Sequence, residues 1–364
     1  MKQKLSYGLT FLLLAMLAGY LFASVGGWDI TSPPNESWLS GSKADPAWNW
    51  MKAADKLIEL GANPGTGSIF YVDSGVTTAA GGTSWETAVA TIDEAVNLCT
   101  HDAGDYILVA QGHSETFITQ SLDLDIRGVT LIGLGNGSLR PTLLMKHTAA
   151  EVAIGADNVS VRGIRFKACV TGVLMGIEVE DSVDYFTIED CVFDCNKVGT
   201  DEFMEAINFV NNNASCTIRN NRFNMGASGA AHAIFCDADT ADLQIIGNDI
   251  RGDYSVACIG GDTAAVTDVL IMGNILINGS LVADTGINAV AAISLLDASA
   301  GLIANNTIVS DVATGLLMRV ADDCVFVNNF LTDTDGDEFS GTAEGTTRGT
   351  TVDANSIAGF ADGD

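Results

Sequence analysis

The chain has 364 residues, of which 46 are acidic and 17 basic, giving a formal net charge of −29 at pH 7. Such a negative surface repels phosphate backbones and anionic lipids, so no nucleic-acid partner is expected. Its positive partners are divalent cations, cationic surfaces or simply the counter-ions of a saline medium, to which such a soluble surface is suited. The hydrophobic fraction of 47% supplies enough apolar residues for a long core.

Residues 1–26 have the order of an export signal. Two lysines precede an apolar stretch from Leu9 to Phe22, and small residues follow it. There is no Ala-x-Ala cleavage site, and the 20 positions from Gly8 to Gly27 reach the length of a membrane span. The sequence therefore predicts a secreted or cell-surface protein, with residues 1–26 as a signal peptide or an N-terminal anchor.

Residues 27–65 are predicted to form an N-terminal segment with one short helix. Asp45 is expected to cap this helix, Pro46 to occupy its first position and Gly61 to end it. The helix needs a partner for its apolar face, either the body of the protein or another molecule.

A strand, a helix and a second strand are predicted next. The strands are Ser68 to Asp73 and Asp105 to Gln111, and Thr83 with Glu86 is expected to form the capping box of the helix. This succession resembles the opening of pectate-lyase-like β-helix proteins. The resemblance implies that the helix covers the open hydrophobic end of a coiled β-structure.

A repeat occupies the middle of the chain. Each copy has an apolar residue, two further positions, an Asn, one position and another apolar residue, and the asparagines are Asn221, Asn248, Asn274, Asn306 and Asn329. The frame continues upstream with Cys191 and Ile164 in place of Asn. Three short strands with their turns need about 20 to 30 residues. Spacings of this size predict one coil per repeat, about eight coils between Val129 and Leu331.

The predicted fold is therefore all-β: a right-handed three-sided parallel β-helix, or solenoid, over residues 66–335 that includes the helical cap. Residues 336–364 are predicted to be a polar C-terminal tail. The five asparagines are expected to be structural, because a side-chain amide at a fixed turn can bond to the Asn of the next coil and to turn backbone groups.

The eight cysteines show no Cys-x-x-Cys spacing, so no zinc site is predicted. Several stand where neighbouring repeats place apolar residues. They are expected to be small buried hydrophobic residues, with Cys169 and Cys195 as the exception that could pair.

A second repeated strand precedes each Asn, and its outward positions form the candidate carbohydrate-binding surface. If Ile177 points inward, Glu178 and Glu180 point outward. The matching outward positions are Asn208 in the next coil, and Phe235 with Asp237 in the coil after that. Polar side chains beside an aromatic ring could hold a sugar, with Phe235 as a stacking platform. The alternative is an ordinary solvated sheet face.

A calcium loop is the only cofactor site that the sequence offers. Asp333, Asp335 and Asp337 match ligand positions 1, 3 and 5 of an EF-hand loop, and Glu344 falls at position 12. Glu338 replaces the required Gly, so an exposed acidic turn is the alternative. A melting temperature that is the same with calcium and with a chelator would exclude the site.

No catalytic residue is predicted. The resemblance to β-helix enzymes implies motifs that are absent here, since Asp322-Asp323 is a lone pair and Gly112-His113 is followed by Ser114. The predicted function is that of an exported structural or adhesive β-helix, self-assembling or in contact with glycans, as similar β-helices serve as phage spikes and fibres. The alternative is a polysaccharide lyase or glycoside hydrolase acting in a groove on one face.

Overall fold

A computed structural model describes residues 67–76, 81–118, 121–195, 201–225, 230–261, 265–279, 291–295, 299–310, 316–320, 323–333, 352–353 and 356–357. The predicted export segment 1–26 and the predicted helix within 27–65 lie outside these residues. Within them, no helix combines the length and apolar character needed to cross a bilayer.

The described residues are dominated by short strands. In the first half of the chain these are β1 (Ile69–Val72), β2 (Tyr106–Val109), β3 (Ser114–Phe117), β4 (Leu122–Leu124), β5 (Thr130–Gly133), β6 (Thr142–Met145), β7 (Val152–Ile154), β8 (Ser160–Arg162), β9 (Arg165–Ala168), β10 (Val173–Val179), β11 (Thr187–Glu189), β12 (Val192–Asp194), β13 (Phe203–Phe209), β14 (Asn213–Ala214), β15 (Thr217–Arg219) and β16 (Arg222–Asn224).

The second half continues the series. Its strands are β17 (His232–Cys236), β18 (Thr240–Ala241), β19 (Gln244–Ile246), β20 (Asp249–Gly252), β21 (Ala257–Gly261), β22 (Val266–Thr267), β23 (Val269–Met272), β24 (Ile275–Asn278), β25 (Ala291–Leu295), β26 (Ala300–Ala304), β27 (Thr307–Ser310), β28 (Leu316–Val320), β29 (Asp323–Val327), β30 (Phe330–Asp333), β31 (Val352–Asp353) and β32 (Ser356–Ile357).

These strands form three long parallel sheets that the chain visits in turn. Sheet 1 has the order β1-β2-β5-β8-β11-β15-β19-β23-β26-β29-β31, sheet 2 the order β3-β6-β9-β12-β16-β20-β24-β27-β30-β32, and sheet 3 the order β4-β7-β10-β13-β17-β21-β25-β28. A short sheet 4 contains β14, β18 and β22. Parallel crossovers are right-handed. The molecule is a right-handed parallel β-helix, and the eight sheet 1 strands from β5 to β29 bound about seven turns.

The corner between sheets 1 and 2 is built by the repeated asparagines. Asn248 donates from its side-chain amide to Asn274 Oδ1 at 3.0 Å and to the Ile218 carbonyl at 2.9 Å, and its backbone N–H donates to the same Asn274 oxygen at 2.8 Å. Equivalent bonds link Asn221, Asn248, Asn274, Asn306 and Asn329 in one ladder. All five are almost fully buried. The ladder satisfies the polar groups that each turn would otherwise leave unpaired inside the protein.

Apolar columns fill the interior between the three sheets. On sheet 2 the rings of Phe166, Phe193 and Phe223 form a continuous stack, with centroids 4.8 and 4.7 Å apart and planes within 12° of parallel. The Phe203 ring meets Phe193 edge-on at 6.3 Å. Parallel pairing in register places the same residue type at the same point of successive coils, so identical rings stack.

The N-terminal end differs from the sequence prediction in one respect. Thr83 and Glu86 do not begin a helix: residues Trp85–Thr87 form a single 3₁₀ turn after Ser84. Helix α1 spans Ile92–Val96 and begins after Thr91, whose hydroxyl accepts a hydrogen bond from the Glu94 N–H at 3.2 Å. Its residues Ile92, Ala95 and Val96 are buried with the core of the first coils.

The cysteines and the C-terminal strands complete the fold. Each of the eight cysteines, all within the described ranges, is a thiol, so the pairing considered for Cys169 and Cys195 is not formed. Six are buried, as predicted for core positions. Strands β31 and β32, within the predicted tail 336–364, pair with β29 and β30 and continue sheets 1 and 2.

The outer faces of sheets 1 and 2 change character along the axis. The early coils carry charged outward residues: Arg162, Arg165, Lys167, Glu189, Asp194, Arg219 and Arg222. The three coils from β23 to β30 carry uncharged ones: Leu270, Met272, Ile275, Ile277, Leu302, Ala304, Thr307, Val309, Val325, Val327 and Phe330. We call this second set the apolar patch. Ile275, Leu302, Val325 and Phe330 are 37–40% exposed.

Candidate functional site

The outer face of sheet 3 brings all five predicted carbohydrate-binding residues together. Its strands align the outward column Asp123, Ala153, Glu178, Asn208, Phe235, Gly260 and Ser294. The neighbouring column holds Asp125, Gly155, Glu180, Val210 and Asp237, each directly after its strand's inward residue. Adjacent coils are about 4.8 Å apart. The five residues therefore occupy three consecutive coils of one surface.

Asn208 and His232 are buried polar side chains with unused hydrogen-bonding atoms. Asn208 is 7% exposed; its amide nitrogen lies 3.3 Å from Met175 Sδ, and its Oδ1 has no hydrogen-bond partner. His232 is 4% exposed, and neither ring nitrogen has a hydrogen-bond partner. The nearest carboxylate, Glu205 Oε1, is 3.8 Å from His232 Nδ1. Such groups carry a desolvation cost that a bound polar ligand would relieve.

An aromatic pair lies beside these groups. The His232 ring stacks on the half-buried Phe235 ring, with centroids 4.3 Å apart and planes 9° from parallel. Both rings lean over Gly260 in the next coil, where a Cβ would lie 2.6 Å from His232 Nε2 and 3.3 Å from Phe235 Cδ2. The absence of a side chain at this position leaves room for both rings. We call Asn208, His232 and Phe235 the polar–aromatic subsite.

Four carboxylates border the next part of the face. In the coil of β7 the outward strand residues Ala153 and Gly155 lie between the pair Asp123 and Asp125 on one side and the pair Glu178 and Glu180 on the other, with the half-buried Glu151 just before the strand. Glu180 reaches back over Gly155, since a Cβ there would be 3.1 Å from Glu180 Oε2. We call these four carboxylates and their small-residue floor the acidic subsite.

Burial and mutual repulsion act on the acids of this face. Burial raises the pKa of the Glu178 carboxyl above its usual range, and the Glu180 carboxylate raises it further. Burial likewise raises the pKa of Glu151, followed by the charges of Glu178, Asp123 and Glu180. A cation near these side chains would relieve the repulsion between them.

A cleft of about 740 Å³ continues the face at its N-terminal end. It is lined by Asp93, Glu115, Phe117 and Asp123 among others. Glu115 is held in place, because its Oε1 accepts hydrogen bonds from the Ile92 N–H at 2.6 Å and from His113 Nε2 at 2.9 Å. Burial raises the pKa of Asp93, and the charges of Asp123 and Glu115 raise it further.

The predicted calcium loop is not described by the structure. Asp335, Asp337 and Glu344 lie outside the described residues, and only the backbone of Asp333 is placed, at the end of β30. Across the part of the chain that is described, no three His, Cys, Asp or Glu side chains converge as a metal site requires. The calcium loop stays a prediction.

Comparisons with known proteins find likeness only in the fold. No protein-family model matches the sequence, and no curated protein is significantly similar to it. Among solved structures, pectate lyase Pel9A is 12% identical with a TM-score of 0.47, over 80% of this chain and 78% of that one. The sheet order of this chain by itself makes the fold a parallel β-helix.

Two further solved structures align over most of the chain. The tailspike of E. coli bacteriophage HK620, solved with a hexasaccharide, is 11% identical with a TM-score of 0.43, over 87% of this chain and 63% of the tailspike. The chain thus spans less than two thirds of that protein. A lacto-N-biosidase from Eubacterium ramulus is 13% identical with a TM-score of 0.29, over 85% of this chain and 70% of that one.

Proposed function

We propose that this β-helix is an exported adhesive protein that binds a glycan across the outer face of sheet 3. The observation that carries the proposal is the polar–aromatic subsite, in which the unused atoms of buried Asn208 and His232 stand beside the Phe235 ring. Carbohydrates combine hydroxyl groups with apolar ring faces. A sugar placed here would stack on Phe235, and it would supply the missing hydrogen-bond partners once the side chains of this subsite open, because the unused atoms are closed to solvent in the free protein.

Asn208→Leu is expected to abolish glycan binding while keeping or raising the melting temperature. Leucine has a similar volume and removes a buried acceptor that has no partner, so the free protein loses little. Isothermal titration calorimetry against a panel of neutral and charged oligosaccharides measures the affinity, and thermal unfolding measures the stability. Phe235→Ala should weaken binding by about tenfold or more, equivalent to about 1.4 kcal/mol.

Asn224→Leu is the matched control, because Asn224 lies on the outer face of sheet 2 and its amide donates to Asp194 Oδ1 at 2.8 Å. This variant should lose about 1 kcal/mol of stability and keep its glycan affinity. If Asn208→Leu destabilises the protein as Asn224→Leu does and leaves binding unchanged, Asn208 is a structural residue and the proposal is wrong.

The same incubations test the enzymatic alternative. We expect no new reducing or unsaturated ends from any oligosaccharide of the panel. Release that disappears in Glu178→Gln would instead assign the face to a glycoside hydrolase or lyase, for which a carboxyl group with a raised pKa is a suitable acid.

A second proposed function is self-association through the apolar patch, with another copy of this chain as the partner. Two chains of net charge −29 repel each other over most of their surface, whereas the apolar patch carries no charge and exposes Leu302 and Phe330. Sedimentation equilibrium should show an oligomer that Leu302→Lys with Phe330→Lys converts to a monomer. Replacing Thr187 and Thr217 by lysine, on earlier coils of sheet 1, should leave it intact. A monomeric parent protein would refute the interface.

A further inference from the structure

We infer that the glycan bound on sheet 3 carries protonated amino groups rather than uronic acid carboxylates. This inference rests on the proposed glycan-binding function and names the class of sugar that this face would accept. It follows from the position of the acidic subsite relative to the polar–aromatic subsite. An extended oligosaccharide that stacks on Phe235 has to cross one or both neighbouring stretches of the same face.

The two subsites are continuous along one column. Phe235 pairs in register with Asn208, and Asn208 pairs with Glu178, so Glu178 lies two coils from the aromatic ring. Two strand spacings amount to about 10 Å. Beyond Glu178 the next outward residue in the column is the small Ala153, and the one after it is Asp123. An oligosaccharide that runs along the axis therefore meets carboxylates on both sides of a shallow floor.

The charges of this stretch decide which sugars fit. Asp123, Asp125, Glu178 and Glu180 carry no basic partner among the ion pairs of the described residues. A uronate would add like charge to carboxylates that already repel one another, while an ammonium group would compensate them. The net charge of −29 attracts a cationic oligosaccharide and repels an anionic one at longer range.

The width of the acidic subsite also favours a hydrated ammonium group. The two acidic pairs flank one intervening coil, so they are separated by about two strand spacings, roughly 10 Å. An amino group on a sugar ring can sit over Ala153 between them, within reach of the Glu180 carboxylate that extends over Gly155.

The experiment compares three soluble oligosaccharides of equal length: a fully deacetylated chitosan oligomer, its N-acetylated neutral counterpart and an oligogalacturonate. We expect affinity to fall in that order, with the chitosan oligomer bound about tenfold more tightly than the neutral one at low salt. Raising the salt concentration should reduce this difference, because exposed charges are screened. The preference should be the same in calcium and in a chelator.

Glu178→Gln combined with Glu180→Gln should bring the affinity for the chitosan oligomer down to that for the neutral one. Glu189→Gln with Asp194→Asn also removes two negative charges, but from sheets 1 and 2, and should leave the preference unchanged. Phe235→Ala should weaken the binding of both oligomers alike.

The outcomes separate the inference from the function on which it rests. If no oligosaccharide binds, or if Phe235→Ala has no effect on any of them, the proposed glycan site is wrong. If the neutral oligomer binds and depends on Phe235, but oligogalacturonate binds as tightly as the chitosan oligomer, only the inferred sugar class is wrong. A chitosan preference that survives Glu178→Gln with Glu180→Gln would also overturn it.

Discussion

Asn274→Ala is expected to lower the free energy of unfolding by about 3–5 kcal/mol, since it leaves several buried polar groups unpaired at about 1–3 kcal/mol each. Asn274 Oδ1 accepts from the backbone N–H of Asn248 at 2.8 Å and from its side-chain amide at 3.0 Å, and Asn274 donates to the Ile245 carbonyl at 2.8 Å. Alanine removes these three buried bonds and also the one that the Asn274 amide donates to Asn306 Oδ1 at 3.0 Å. Urea unfolding followed by circular dichroism measures the loss.

Asn211→Ala is the surface control, because this asparagine side chain donates a hydrogen bond to Asp181 Oδ1 at 2.9 Å at the surface. Its loss should cost no more than about 0.5 kcal/mol. Equal losses in the two variants would mean that burial does not strengthen the ladder, and that the asparagines are tolerated at this corner without stabilising it.

The coils could be predicted from the sequence because a solenoid repeats the same arrangement of strands and turns in each coil. Asn248 and Asn274 stand at a fixed position relative to the apolar residues around them. This position predicts both where the chain turns between two sheets and how neighbouring coils pair. The residue before each ladder Asn in these coils is a glycine in the left-handed region, Gly247 with φ 66° and Gly273 with φ 67°. Such periodic features depend only on neighbouring coils.

The start of the helix predicted from Thr83 was misplaced because two capping boxes compete. Thr83 with Glu86 and Thr91 with Glu94 both fit the pattern, but only the second precedes a helix. Val89 pairs with the first strand instead: its N–H donates to the Tyr71 carbonyl at 2.9 Å. This strand pairing excludes helix from the residues around Val89, and a local pattern contains no information about it.

The sequence predicted only part of the candidate site. The alternation of inward and outward side chains holds only over the second half of these sheet 3 strands. Glu178, Asn208 and Phe235 follow the period of two. Two positions before Glu178 the alternation is broken, since a Cβ on Gly176 would lie 3.3 Å from the buried rings of Phe193 and Phe203 while Ile177 is also buried. The break turns His232 outward beside Phe235. Period-two reasoning places His232 inside, so the sequence alone could not add it to the site.

Phe193→Ala should reduce the free energy of unfolding by about 3–5 kcal/mol, the cost of a large buried aromatic side chain and the cavity it leaves. Phe193 is fully buried between Phe166 at 4.8 Å and Phe223 at 4.7 Å, with Phe203 at its edge. The backbone ladder fixes the spacing of the coils, so the neighbouring rings can close little of the gap. Calorimetry and urea unfolding measure the loss.

Phe330→Ala is the matched control, since the same side chain is removed from a ring that is 40% exposed. Measured at a concentration where the chain is monomeric, it should cost less than about 1 kcal/mol. Because each coil contacts only its neighbours, the Phe193 variant should also open locally, with hydrogen exchange fastest in the strands β9, β12 and β16. Uniformly faster exchange along the whole β-helix would show instead that the coils unfold as a single cooperative unit.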